Sequence, residues 1–362
     1  MLNVIFYKPL ETVTTETSSY DEEGNEIIIT ETFTFHPVKR FECETMTSGA
    51  FMFQNNKHID CETGSMISLG DGECMFMNSS ITSVSDSDDV ANFFSLTNGA
   101  KMFSNCKNLT SVHIKCPSLR NAKGMFAKSP IASFECEGLD SVEYADNMFE
   151  ETNFSSFYND FTSLISGDDL FLNSVSLAEF NGNLSNAESL KRAFYGTTLG
   201  SFTTNNLNKL KYGNQTFENT ILSDWNINLP SLIDGTQMFK STLLEDFKAN
   251  LSQLKNGDEM FANCERLEVI QANLNSLESG VNMFKGCHLN PTSIMYIIDS
   301  LPSHSEGTHL ITFGLDCEND IISLNSFADE ACFIDWETLK SSLISKGWTA
   351  TFETIQGEII SL

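Results

Sequence analysis

Phenylalanine recurs along this chain at a nearly fixed interval. It stands at positions 53, 76, 103, 126, 149, 171, 194, 217, 239, 261 and 284, so successive steps are 23, 27, 23, 23, 22, 23, 23, 22, 22 and 23 residues. Met precedes it at Met52, Met75, Met102, Met125, Met148, Met238, Met260 and Met283, and Gly stands three places before the Met at Gly99, Gly235, Gly257 and Gly280. A self-similar period of this size marks a stack of small repeated units, each unable to bury its apolar face alone.

Within each unit two further apolar pairs follow the anchor phenylalanine. The first is Leu109/Val112, Ile131/Phe134, Phe154/Phe157, Leu177/Phe180, Leu199/Phe202, Leu222/Trp225, Leu244/Phe247 and Leu267/Ile270. The second is Leu184/Leu190, Leu207/Leu210, Leu229/Leu232, Leu251/Leu254 and Leu274/Leu277, where the chain turns toward the next anchor. The stretch Leu109 to Ile114 alternates as a strand does, with Val112 and Ile114 inward and Ser111 and His113 outward. Coils stacked at about 4.8 Å then give one parallel sheet along a rod of roughly 50 Å. The anchor phenylalanines form a second internal stack, each worth about 2 kcal/mol of burial, and the glycines before them suggest a tight turn.

Outside the periodic region the pattern changes. Residues 1–42 read as β structure, with ETVTTETSSY and EIIITETFTF alternating about a Gly24-Asn25 turn. The expected product is a hairpin that caps the open end of the array or attaches it to a larger assembly. Residues 43–287 carry about eleven repeats. Ser85 to Asp89 fall in the 27-residue step and read as a longer acidic loop without the Gly and closing Glu of a calcium loop. After Phe284 the repeat pattern ends. Residues 288–362 read as an α+β cap: a helix opened by Asn290-Pro291, the strand HLITFGL, a helix from Asp335 to Lys346 with Trp336, Leu339 and Leu343 on one face, a stop at Gly347, and the strand WTATFETI.

The unit MFSNCKNLTSVHIKCPSL resembles the BspA-like leucine-rich repeat, whose unit of about 23 residues reads alanine-phenylalanine, two residues, cysteine, then L-x-x-I-x-I-P; Ala193-Phe194 restores the family's alanine. The resemblance covers residues 43–287 and implies a β-rich leucine-rich-repeat solenoid of stacked parallel strands. It also implies a surface adhesin, since members are mostly secreted proteins that bind host matrix proteins or other cells. The ending resembles the tail of repeat proteins from gut bacteria and their phages. Because MLNVIFYKPLETVTT lacks a basic n-region followed by an apolar segment, the expected setting is a virion surface. There the chain would be a structural or host-recognition protein, joined to other virion proteins through residues 1–42. A bacterial cell-surface adhesin and a cytoplasmic interaction scaffold are the alternatives.

Charge and chemistry narrow the expectation. With 21 basic against 49 acidic residues the formal charge is -28, which disfavours nucleic acid and anionic membrane as partners. No apolar run reaches the length of a membrane span. The six histidines, at 36, 58, 113, 288, 304 and 309, do not pair at metal-ligand spacing. The ten cysteines sit singly at repeat slots and read as reduced, buried small hydrophobes; Cys106, Cys264 and Cys287 share one slot and Cys136 takes the place of Ile114. No catalytic motif, cofactor loop or metal signature is present, so no enzyme activity and no cofactor are expected. Recognition of a host protein or glycan would then fall to the outward strand positions: Ser111, His113, Ser133, Glu135, Ser156, Tyr158, Glu179, Asn181, Ser201, Thr203, Asp224, Asn226, Asp246, Lys248 and Gln271. Their side chains are mostly short and polar, and Tyr158 is the one aromatic able to stack on a sugar.

Overall fold

The structure, a computed structural model, describes residues 4–5, 11–20, 26–35, 40–41, 45–57, 62–85, 90–305, 309–315, 336–353 and 359–361. The chain winds as a solenoid in which each period is one coil, and successive coils meet along two parallel hydrogen-bonded columns. One column holds the strands. The other passes through the anchor phenylalanines, where bridges run from Ser48 to Asp71, Asn98, Asn121 and onward to Ser279 without a break.

The anchor column owes its continuity to an unusual backbone. In each coil the residues two before and two after the phenylalanine have positive φ, as at Lys101 (54°) and Asn105 (56°) around Phe103. The N–H groups of Gly99, Lys101, Phe103 and Asn105 all donate to the next coil, to the carbonyls of Asn121, Lys123, Met125 and Ala127. Left-handed residues inserted at alternate donor positions turn the amides to one side, as in backbone nests. Asn, which tolerates this region best after Gly, fills the later slot at Asn55, Asn78, Asn105, Asn173, Asn219 and Asn263.

The anchor rings stack parallel with centroids 5.2–5.9 Å apart. A second aromatic ladder, Phe134, Phe157, Phe180, Phe202, Trp225 and Phe247, lies against it edge-on, Phe202 meeting Phe217 at 4.9 Å and 73°. The glycines have a role other than the expected turn. A Cβ on Gly72 would lie 2.8 Å from Met102 Sδ, and one on Gly213 would lie 2.9 Å from Met238 Sδ. Each thus clears space for the methionine of the following coil. Where this slot holds Leu190, the facing residue shrinks to Thr216, whose hydroxyl donates to the Leu190 carbonyl. Leu190 therefore does not close the Leu184 pair; Ala187 does, through its N–H to the Leu184 carbonyl.

The shared cysteine slot also differs from expectation. Cys106, Cys264 and Cys287 donate S–H to the carbonyls of Phe76, Phe239 and Phe261 in the coil before. Ser129 and Ser174 do the same with a hydroxyl, whereas Thr152, Thr197, Thr220 and Thr242 reach the anchor carbonyl of their own coil. The slot selects a small donor, not merely a small apolar group. Burial pushes the Cys264 thiol up to about 11 from an ordinary 9.0, against an opposing hydrogen bond from Thr242. A folded value above the unfolded one means a contribution to stability that is complete below pH 9.0 and declines as pH rises toward 11. At pH 8 we therefore expect iodoacetamide to leave Cys264 unmodified in native protein and to alkylate it in guanidinium, read by peptide mass spectrometry.

The strand column is not one sheet. The first sheet contains β1 (Val4–Ile5), β4 (Arg40–Phe41), β5 (Glu62–Thr63), β6 (Ser83–Val84), β7 (Ala91–Asn92), β8 (Ser111–Lys115) and β9 (Ser133–Glu137). The hairpin β2 (Glu11–Tyr20) and β3 (Glu26–Phe35) pairs with itself in register Thr12↔Thr34 and forms a separate two-stranded sheet. It is β1, antiparallel to β4, that lies at the end of the stacked sheet, where the hairpin was expected. The turn at Gly24-Asn25 lies outside the described residues, as do Cys43, Cys61, Cys317, Cys332, His36 and His58. β6 and β7 both pair with β8, so the long step inserts its extra residues into the middle of a strand; the acidic residues 86–89 themselves lie outside the described residues.

A second sheet holds β10 (Ser156–Phe157), β11 (Glu179–Asn181) and β12 (Ser201–Thr203), and a third holds β13 (Asp224–Trp225), β14 (Asp246–Asn250) and β15 (Val269–Asn273). The second inward position explains most of the breaks. Where it is Ile114, Cys136, Ala249 or Ala272 the strand runs five residues; where it is Asn159, Gly182 or Thr204 it stops at two or three. Asn159 and Thr204 are polar and gain nothing by turning inward, and Gly182 has no side chain to bury, so the alternation ends. Ile227 is the exception, and in its coil the Trp225 indole N–H doubles back to the Ile227 carbonyl at 2.7 Å.

Past β15 the two columns are closed differently. Helix α1 (Pro291–Ser300) takes the place of the next strand, its N-cap Asn290 accepting from the Ser293 N–H with Pro at the first helical position. Ser293 Oγ accepts from the Ile270 N–H and donates to the Glu268 carbonyl, satisfying the edge of β15. On the other side β16 (Gly280–Leu289), β17 (His309–Leu315), β18 (Trp348–Glu353) and β19 (Ile359–Ser361) form a fourth sheet that extends the anchor column, and β16 runs across position 287. Phe313 stacks on Phe284 and Phe352 on Phe313, so the anchor ladder continues beyond Phe284 through residues that no longer keep the period. Helix α2 (Trp336–Ser345) ends at Gly347 (φ 76°), and Lys346 Nζ donates to the carbonyls of Ile298, Asp299 and Leu301 at the end of α1. Trp336 and Leu339 carry no described side chain, while Leu343 is buried.

Candidate recognition face

The outward positions of the strand column are set in register by backbone pairing. Ser111 lies beside Ser133 and His113 beside Glu135; Glu179 stands between Ser156 and Ser201, and Asn181 beside Thr203; Asp224 lies beside Asp246 and Lys248 beside Gln271. Ser111, His113, Ser156 and Glu179 are half-buried and the rest are exposed. Tyr158 and Asn226 follow directly on β10 and β13 instead of lying within them. The breaks between sheets divide the expected continuous face into three patches, one on β8–β9, one on β10–β12 and one on β13–β15.

The patches differ in charge. On the first, Lys115 Nζ meets Glu137 at 2.6 Å and His113 Nε2 meets Glu135 at 3.5 Å. On the second, Tyr158 Oη donates to Glu179 Oε2 at 2.7 Å, and that bond to a carboxylate pushes the phenol above its ordinary range. The third places the Asp224 and Asp246 carboxylates side by side in parallel register, with Ser223 Oγ donating to Asp224.

Elsewhere charged side chains are committed to ties between coils. Arg120 pairs with Glu143, Lys123 with Asp146, Lys128 with Glu150, Arg192 with Asp169, Lys240 with Glu259 and Lys255 with Glu278. Lys123 and Lys191 also lie over the rings of Tyr144 and Tyr212. Among the described residues no group of three His, Cys, Asp or Glu side chains converges as metal ligands would, and no helix is long and apolar enough to cross a membrane.

Between β9 and β10 the face opens into a cavity of about 360 Å³. Four of the residues expected on the face, His113, Glu135, Ser156 and Tyr158, line it, and so do Glu137 and Asn159, which the strand pattern alone does not single out. The signal for it in the sequence is Asn159 in an inward slot.

Two parallel columns, short strands on one side and a ladder of Phe-anchored turns on the other, define a leucine-rich-repeat solenoid. The family described as BspA type leucine rich repeat region matches in six copies, over overlapping stretches at residues 26–145, 72–199, 142–254, 191–305 and 234–342. The chain belongs to that family. No curated protein and no solved structure matches it. Repeat regions of this family are typically non-enzymatic modules for interaction or adhesion, and the match concerns the repeat, not a particle or a compartment.

Proposed function

We propose that this chain is a non-enzymatic recognition protein whose strand column binds a protein or glycan on another surface. One observation carries this reading: from β11 to β15 five successive coils present Asn181, Thr203, Asn226, Lys248 and Gln271 as an exposed polar row at coil spacing. Extended rows of this kind are the surfaces that repeat proteins use for binding. Charged side chains on other sides are tied between coils, as Arg192 is to Asp169, whereas the five side chains of this row are exposed.

The test is binding of the labelled full chain to bacterial and host cells by flow cytometry. Thr203→Arg and Asn226→Arg are expected to reduce binding by at least roughly tenfold, since a long cation in the centre of a contact forces either desolvation or displacement. Asn208→Arg, at an exposed position where the coil turns back, is expected to leave it unchanged. Equal binding by all three variants would exclude the strand face. The setting we propose is a virion surface, supported by the likeness of the C-terminal stretch to repeat proteins of gut bacteria and their phages. Mass spectrometry of purified particles tests it: presence supports display on a virion, and absence leaves the bacterial surface or the cytoplasm.

A further inference from the structure

We infer that the cavity between β9 and β10 is a binding pocket for an uncharged pyranose ring, the terminal or branching sugar of a glycan. The inference rests on the strand column being the recognition face and adds a ligand class and a location.

The cavity follows from a local failure of the coil. Val112 and Ile114 on β8 are sealed in the core at 1% and 0% exposure, but their neighbours Phe134 and Cys136 on β9 are only half-buried. The cause lies one coil further on. Asn159 occupies the inward slot, β10 ends after Phe157, and no ladder joins β10 to β9. On its far side the chain crowds the next coil, since a Cβ added to Gly182 would stand 2.2 Å from the Asn159 carbonyl oxygen. Asn159 is thus in close contact with the β11 coil and unpaired with β9, and Phe134 and Cys136 form the floor of the cavity between them.

Floor and rim differ in chemistry. The floor is apolar: an aromatic ring and a sulfur, with Cys136 Sγ packed 3.5 Å from Cys116 Sγ and its thiol held well above the ordinary range by burial. The rim is hydrophilic: Ser156 and Asn159 offer both donors and acceptors, and the exposed carboxylate of Glu135 accepts. Tyr158, 60% exposed, stands at the edge with its hydroxyl held by Glu179, so its ring orientation is set before a ligand arrives. An apolar floor with a few convergent polar groups is the usual composition of a small-ligand site.

A pyranose matches this arrangement because one face presents C–H groups and its periphery presents hydroxyls. Two carboxylates, Glu135 and Glu137, line the opening, a third, Glu179, holds the Tyr158 hydroxyl at its edge, and the ammonium of Lys115 is already paired with Glu137, an excess of negative charge that disfavours acidic sugars and phosphates. The volume admits a single ring with its substituents, not an extended peptide.

Saturation-transfer NMR on the full chain tests the assignment with methyl glucopyranoside, methyl galactopyranoside, N-acetylglucosamine, glucuronate and lysine amide as separate probes. Transfer to the ring protons of at least one uncharged sugar is expected, with glucuronate giving at least about fivefold less. Tyr158→Ala and Glu135→Gln, both at exposed positions and checked for fold by circular dichroism, are expected to weaken the response roughly tenfold and severalfold. No transfer to any uncharged sugar, or transfer that Tyr158→Ala leaves intact, overturns the assignment. Preferential binding of lysine amide overturns it in favour of a basic side chain of a protein partner. The cell-binding assay keeps the two readings apart: cell binding that survives Tyr158→Ala and Glu135→Gln removes the pocket and leaves the face.

Discussion

Replacing Phe217 by alanine is expected to lower the unfolding free energy by about 3–5 kcal/mol. Its ring is fully buried, stacks on Phe194 at 5.4 Å and on Phe239 at 5.5 Å, and meets Phe202 and Trp225 edge-on at 4.9 and 5.2 Å. The removed atoms leave a void that the neighbours cannot fill, because each is held by the hydrogen-bonded column of its own coil. The stability of a repeat array is approximately a sum of coil terms and nearest-neighbour terms. A defect in mid-array weakens two such interfaces together. Urea unfolding followed by far-ultraviolet circular dichroism should therefore show an earlier transition that also broadens or divides, as the halves on either side of Phe217 uncouple. Phe217→Leu, which keeps most of the volume, should lose less than half as much. An unchanged transition in Phe217→Ala would contradict the stacked core.

Gly182→Ala is expected to cost about 3 kcal/mol, at the upper end for an overpacked site. The added Cβ would meet the Asn159 carbonyl oxygen at 2.2 Å, and a backbone atom cannot rotate away as the end of a side chain can. Two coils would have to separate, stretching the bonds that join them, from the Phe161 N–H to the Asn183 carbonyl at 3.0 Å and from the Asn183 N–H to Asp160 Oδ1 at 2.8 Å. Gly200→Ala is the matched control: its Cβ would approach only the Ile221 side chain, at 3.4 Å, and a change within roughly 0.5 kcal/mol is expected. Because Gly182 permits the close approach of Asn159, which lines the neighbouring cavity, Gly182→Ala should also alter sugar binding there. Equal stability of the two variants would show that the close approach at Asn159 is not a constraint.

The period, the anchor phenylalanines, the outward strand positions and helix α1 were all legible in residue order, because each depends on interactions repeated at a fixed spacing or on a local cap such as Asn290-Pro291. Strand length was not read from the sequence, which predicted one continuous sheet; the structure shows that Ile114 and Cys136 continue a strand in the second inward slot whereas Asn159 and Gly182 stop it. The roles of the small residues were not legible either. Gly72 looks like a turn residue until the methionine of the next coil is seen filling its space, and Cys106 looks like a small apolar residue until the Phe76 carbonyl is placed beside it. Each of these reasons lies one coil away, 30 residues distant in sequence for both pairs, which span the long step, and in direct contact in space.

The division between sequence and fold has a single physical origin. Interactions within a coil, and those that every coil repeats, are written in local order, so the sequence by itself determined a solenoid of Phe-anchored coils and the row of positions on its strand face. Events that occur once depend on how neighbouring coils accommodate each other. The two gaps in the strand column, the continuation of the anchor ladder through Phe313 and Phe352, and the cavity over Phe134 are of that kind. Each arises where one coil departs from the repeat and its neighbours, held by backbone hydrogen bonds on both sides, cannot follow, and only the tertiary structure shows what opens between them.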